Sequence, residues 1–405
     1  MTLATRTKYL AVSTTLALCA AATAVTGGAQ SEIPKAEKGY SISVFAKGVP
    51  GQYTAPDSLA VTKDHVYIGY GDNNDPTGED GKSNMIVEYT KDGRKTFSFV
   101  VIGHNDGLKV NPYTHEIWAM QNEDANPNLV IFNPKTREQR QYTFATAPPS
   151  GGGYDDIVFR NGEAYFSASN PAHNPNAAPA IVKAKFAGDV IEVSPVLEGT
   201  ASATNVITGA QVTLNLQDPD SMTLTPSNNI LLDSQGDSEL VLVRHPGKSQ
   251  SVLQIPLTSP YGAPQVDDTL FIPSDDGFML VSDTPADTTY IIRKTEFIPG
   301  TAYSAGVGAA NSAGVTPGFV GRLDLDFGQL TPIVTGLNSP HGLAFVKNRN
   351  DDDDDDYPCR YRAPFRCPQG GAESRRRPFR GCAAINWTKQ WSGDARSQSS
   401  LCMPR

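Results

Sequence analysis

Five stretches of this chain restart with an aspartate just ahead of a short, mostly apolar run, and a sixth puts a histidine there. The residues are Asp57, Asp106, Asp155, Asp220, Asp267 and His341, at steps of 49, 49, 65, 47 and 74. A period of roughly 40 to 50 residues, with several short strands in each unit, is the mark of a β-propeller. In that architecture every unit points its first residue at the mouth of one central channel. Acidic groups gathered there need a cation, protons or backbone donors to coexist.

Within the units the apolar spacing is β-like. The first predicts strands at Leu59–Val61, Val66–Tyr70, Met85–Tyr89 and Phe97–Val101, with Asp92-Gly93 as a hairpin turn. The second, third and fourth units repeat the scheme. No long window carries a helical period beyond the N-terminal segment, so the chain reads as all-β. The fifth unit takes Leu270–Ile272, Phe278–Val281 and Thr289–Ile292, and Val320–Leu325 and Leu330–Val334 follow. The sixth start has no second and third strand after Phe345, and Tyr40–Phe45 is a ready candidate to complete the ring. The expectation is six blades, with five as the alternative.

Residues 1–29 read as a secretory signal peptide: Arg6 and Lys8, an apolar stretch from Leu10 to Val25, then Gly27-Gly28-Ala29. The apolar core is short for a membrane span, and no later stretch is long enough. The expected location is secreted or periplasmic, with the propeller over 30–348. Residues 349–405 differ in kind, with six consecutive aspartates (Asp351 to Asp356), ten arginines and Cys359, Cys367, Cys382 and Cys402. They read either as a disulfide-bearing extension or as the product of a reading-frame slip, which would also account for the sixth unit's missing strands. Formal charge is −9, and the body of the chain has no basic groove, which argues against nucleic acid as a partner.

Carboxylates and amide oxygens at strand starts suit calcium, which takes six to eight oxygen ligands. An aspartate before a strand also serves as a turn cap, a use that needs no metal. His104 and His341 lie at or next to strand starts, where inward histidines would support zinc or lyase chemistry instead. Trp118, Tyr165 and Phe166 on second strands read as packing between blades. There is no Gly-x-Ser-x-Gly elbow, phosphate loop or dinucleotide fingerprint.

Pro219-Asp220-Ser221-Met222, followed by Ile230-Leu231-Leu232-Asp233, resembles the metal-binding segment of the senescence-marker/gluconolactonase-like propellers. His104-Asn105-Asp106-Gly107-Leu108 is similar to that family's Asn-Asp-Gly segment, and Pro340-His341-Gly342-Leu343-Ala344 resembles the strand start of NHL repeats. The resemblance spans roughly residues 40–346. It implies a six-bladed propeller with a divalent cation, calcium by expectation, held by Asp57, Asp155 and Asp220. Asp57 stands about where the family has a glutamate, and Asp155 where it has an asparagine. Asp220 would also be the catalytic base, and Asn105 would orient a small-molecule substrate. The implied activity is metal-dependent hydrolysis of a lactone or ester. The alternative is a non-catalytic secreted propeller that binds a ligand or protein on its loop face.

Overall fold

Each apolar run behind a repeated aspartate or histidine becomes the first strand of an antiparallel sheet. The structure, a computed structural model, describes residues 34–149, 152–169, 174–247, 249–307, 309–311 and 314–348. The leader expected over 1–29 and the tail over 349–405 lie outside the described residues.

Sheet 1 comprises Pro56–Val61, His65–Tyr70, Ser83–Thr90 and Lys95–Ile102. Sheet 2 comprises Asn105–Val110, Ile117–Gln121, Asn128–Phe132 and Gln139–Phe144. Sheet 3 comprises Ile157–Arg160, Glu163–Ser167, Pro179–Ala187 and Val190–Glu198. Sheet 4 comprises Pro219–Leu224, Ile230–Ser234, Glu239–Arg244 and Ser251–Pro256. Its outer strand is extended by the hairpin Ser202–Asn205 and Gln211–Thr213.

Sheets 5 and 6 are interleaved in sequence, which corrects the expected division. Val266–Phe271 opens sheet 5, but the next hairpin, Gly277–Asp283 and Thr288–Lys294, belongs to sheet 6. Sheet 5 is completed by Ala302–Gly306, Gly318–Asp324, Gln329–Leu337 and the short Lys35–Ala36. Sheet 6 has Pro340–Lys347 innermost, then that hairpin, then Tyr40–Lys47 at the outer edge. The second and third strands missing after Phe345 therefore come from upstream, and no slip in the coding sequence is needed to explain them. Gly277–Asp283 is buried at every position, so it needs a strand on each edge, and Pro340–Lys347 supplies one. Tyr40–Lys47 takes the closing position expected of Tyr40–Phe45.

The core lies between the sheets. One apolar cluster fills each seam between consecutive sheets, and Val66, Ile68, Phe278, Leu280 and Val346 join sheet 6 back to sheet 1. Each fully buried aliphatic side chain contributes about 1.5–3 kcal/mol. The ring is held by these seams, and hydrogen bonds between the outer strands of sheets 2 and 3 add to them. Trp118, Tyr165 and Phe166 are buried in the seams as expected.

Candidate metal centre at the channel mouth

A recurring irregularity aims the repeated residues at the axis. In five of the six inner strands, two residues oppose one on the second strand: 57–58, 106–107, 220–221, 267–268 and 341–342. Such a bulge takes a side chain out of the sheet's alternation and re-aims it. Asp155 precedes its strand and is held by a hydrogen bond from its own N–H to the Ser167 carbonyl. The residues behind the mouth crowd the neighbouring strand. A Cβ on Gly107 would stand 2.2 Å from the Asp155 carbonyl oxygen, and one on Gly342 would stand 2.5 Å from that of Asp57.

Asp57, Asp267 and His341 converge, with ligand atoms within 4.8 Å of one another. His341 Nδ1 lies 3.5 Å from an Asp57 oxygen and 3.3 Å from an Asp267 oxygen. Donors about 2.1 Å from a tetrahedral metal are about 3.4 Å apart, which the two edges at His341 match. The far nitrogen of His341 lies 3.2 Å from Ser339 Oγ, which orients the ring as second-shell partners do. The Asp283 carboxylate accepts the backbone N–H groups of Asn338 and Ser339 and fixes that turn.

The expected ligand set was Asp57, Asp155 and Asp220, and only Asp57 belongs to the trio. Asp220 neighbours both Asp155 and the trio's Asp267. The carboxyls of Asp155 and Asp220 are pushed well above the usual range, first by burial and then by neighbouring acids: Glu123 and Asp218 for Asp155, Asp267 and Asp155 for Asp220. Asp106 is raised by burial and then by the neighbouring Glu123. Asp57 is pushed up to about 8, by burial more than by Asp267, against the attraction of His341. Burial opposes charge on His341, yet Asp267 and Asp57 outweigh it and hold the imidazole at about 10.

Asn105 lies in the ladder of sheet 2, opposite Gln121. It is fully buried, its amide donates to the Met120 and Gly107 carbonyls, and it braces the first strand against the second. Its Oδ1 is buried and has no hydrogen-bond partner among the described residues. Glu123 was missed because it lies in a loop outside the repeat. Asn122, in a left-handed conformation, anchors that loop by accepting the His104 N–H and donating to the Asn126 carbonyl. His104 lies 3.8 Å from Glu123.

Below the mouth the axis is closed. Lys109 Nζ lies 2.9 Å from Asp156, and Asp268 also pulls on its charge. Asp156 and Asp268 each accept a backbone N–H from the next inner strand, Met222 and Leu343. The cavity between this layer and the mouth is about 10 Å3, room for one water. A ligand at the mouth therefore sits at a dead end.

No family model matches the chain, and no curated protein matches it. Solved structures to which its fold is similar include a candidate gluconolactonase, at 11% identity and TM-score 0.43, covering 77% of this chain and 87% of that one. A candidate 6-phosphogluconolactonase from Bacteroides fragilis aligns at 13% identity and TM-score 0.40, covering 78% and 86%. Virginiamycin B lyase from Staphylococcus aureus aligns at 13% identity and TM-score 0.38, covering 76% and 96%.

Proposed function

We propose that the protein is a hydrolase of lactone or ester type that depends on a divalent cation at the channel mouth. The observation that carries this reading is the triangle of Asp57, Asp267 and His341 at one edge of a ring of buried carboxylates. Calcium, expected from carboxylates alone, takes oxygen ligands. An imidazole in the trio turns the reading toward a cation that also accepts nitrogen, Mn2+ or Zn2+.

When bound, such an ion supplies Lewis acidity toward a carbonyl and lowers the pKa of water. The chain's own groups handle the protons. Asp220, whose carboxyl has high proton affinity, would take a proton from the attacking water. Asp220 would then return that proton to the oxygen released as the carbonyl carbon–oxygen bond breaks. Export to periplasm or medium belongs to this reading and rests on the leader-like first residues.

Two measurements on the purified chain test it: metal content, and hydrolysis of γ-lactones, δ-lactones and aryl esters with and without EDTA. Hydrolysis that EDTA abolishes, Mn2+ restores and Asp267→Asn removes supports the proposal. A chain that neither binds Mn2+ or Zn2+ nor opens any lactone or ester overturns it and leaves the non-catalytic ligand-binding alternative.

A further inference from the structure

The seam between sheets 2 and 3 holds a cavity of about 400 Å3, on the opposite side of the ring from the acidic mouth. Its lining includes the turns after the inner strands, around Glu116 and Glu163, whereas the mouth aspartates lie at those strands' beginnings. Here the outer strands of the two sheets run parallel and hydrogen-bond, Thr143 opposite Val190 and Phe144 opposite Ile191. That ladder ties the outer edges together and gives the cleft a back wall. Its volume falls within the range of small-ligand sites, about 300–1,000 Å3.

The walls combine two chemistries. Trp118, Phe159 and Phe186 form an aromatic corner: Phe159 and Phe186 meet the Trp118 ring edge to face at 4.9 and 5.3 Å. Phe186 is 38% exposed and offers a ring to an incoming molecule. Beside these rings stand Glu116, Arg140 and Glu163. Glu116 is paired with Arg140 at 2.6 Å and Glu163 with Lys183 at 3.1 Å, so the charges are matched in place. The buried Trp118 indole N–H has no acceptor among the described residues.

We propose that this cavity binds a neutral polyhydroxylated ring, a pyranose sugar. An apolar guest would desolvate the carboxylates and guanidinium without replacing their hydrogen bonds. An ion would find no net opposite charge. A sugar ring satisfies both halves: its C–H face lies on the aromatic rings, and its hydroxyls donate to Glu116 and Glu163 and accept from Arg140. A hydroxyl beside Trp118 would also supply the indole's missing acceptor. This site is separate from the proposed metal centre and does not depend on it.

Calorimetric titration of the full chain with the methyl glycosides of glucose, galactose, mannose and N-acetylglucosamine tests the assignment. The expected result is saturable binding of at least one glycoside, with Kd on the order of 1 mM or tighter. Phe186→Ala and Glu163→Gln, both at partly exposed positions, should each weaken it about tenfold or more, while Asp267→Asn at the mouth should leave it unchanged. Should Phe186→Ala fail to fold, Glu163→Gln carries the same test. Absence of saturation with every glycoside, binding indifferent to both substitutions, or binding lost in Asp267→Asn would each overturn the proposal.

Discussion

Arg137 grips Glu88 across the seam between sheets 1 and 2 with two nearly parallel hydrogen bonds, at 2.6 and 3.2 Å. Glu88 is 1% exposed, and it also accepts from Tyr67 and Thr96. The guanidinium lies over the Phe97 ring, 4.3 Å from its centre. Glu88 and Arg137 thus add a polar tie to a seam that is otherwise apolar.

Burial alone would raise the Glu88 carboxyl, but its hydrogen bonds to Arg137, Tyr67 and Thr96 outweigh burial and hold it at about 2. A carboxyl depressed on folding adds stability that is present above the unfolded value and lost as pH falls through the folded one. The contribution should be intact above about pH 4.5 and disappear towards pH 2. Glu88→Gln should cost about 2 kcal/mol at pH 7. Arg137→Ala should cost about 3 kcal/mol, because it strands a buried carboxylate. Denaturant unfolding from pH 7 to pH 2.5 checks this: the gap between wild type and Glu88→Gln should close on the acid side.

The ring of acidic strand starts was legible because the same bulge recurs at the start of five inner strands, each beginning with an aspartate or histidine. Which of those residues converge was not legible. Asp57, Asp267 and His341 belong to sheets 1, 5 and 6, and their meeting depends on ring closure through Tyr40–Lys47 and on the interleaved hairpin Gly277–Lys294. Pairing between strands more than 50 residues apart leaves no periodic trace. Asn105 looked available because its neighbour faces the channel, but the bulge begins at Asp106 and leaves Asn105 in the ladder, pointing into the protein. Glu123 left one signal only, an acidic pair with Asp124 directly after a second strand.

Metal affinity at the mouth should rise steeply with pH. In the metal-free protein His341 keeps its proton up to about 10 and Asp57 up to about 8. A cation held by Nδ1 and by both carboxylates must displace those protons. The signs agree for metal-free stability. The raised imidazole contributes below its unfolded value of about 6.5 and loses that contribution as pH rises through 10. The raised carboxyl likewise takes stability away as pH rises from its unfolded value of about 3.8 through about 8. The metal-free protein should therefore weaken on the alkaline side, and Mn2+ or Zn2+ should restore it. Calorimetric titration at pH 6, 7 and 8 in buffers of different ionisation enthalpy should show release of up to two protons and an affinity gain of up to about a hundredfold per unit. An affinity that ignores pH would rule out His341 as a ligand.

Lys109 should prove structural. It is the cation that lets Asp156 and Asp268 lie together beneath the mouth, with Asp268 pushed up to about 7, by burial more than by its acidic neighbours and against the pull of Lys109. Lys109→Met removes that cation and should cost about 3–5 kcal/mol at pH 8. At pH 5 Asp268 can hold a proton, so the cost should be smaller. Unfolding curves at the two pH values decide it. Equal losses would mean that packing of the lysine stem, and not its charge, closes the axis.

Gly342 separates packing from ligation at the metal centre. It follows His341, and a Cβ there would stand 2.5 Å from the Asp57 carbonyl oxygen and 3.1 Å from the Ser58 Cα. These are backbone atoms with no rotamer to yield, so Gly342→Ala must push the first and sixth inner strands apart. Overpacking of this kind costs about 1–3 kcal/mol, and the displacement falls between Asp57 and His341. The variant should fold with a lowered Tm and lose Mn2+ affinity about tenfold or more, although no donor atom has been removed. Gly107→Ala makes the matching test beside Asp155, whose carbonyl the added methyl meets at 2.2 Å. It should cost similar stability but leave Mn2+ affinity nearly unchanged if the trio alone holds the ion. Equal loss of affinity in both would mean that the ion is shared across the whole mouth, Asp155 and Asp220 included.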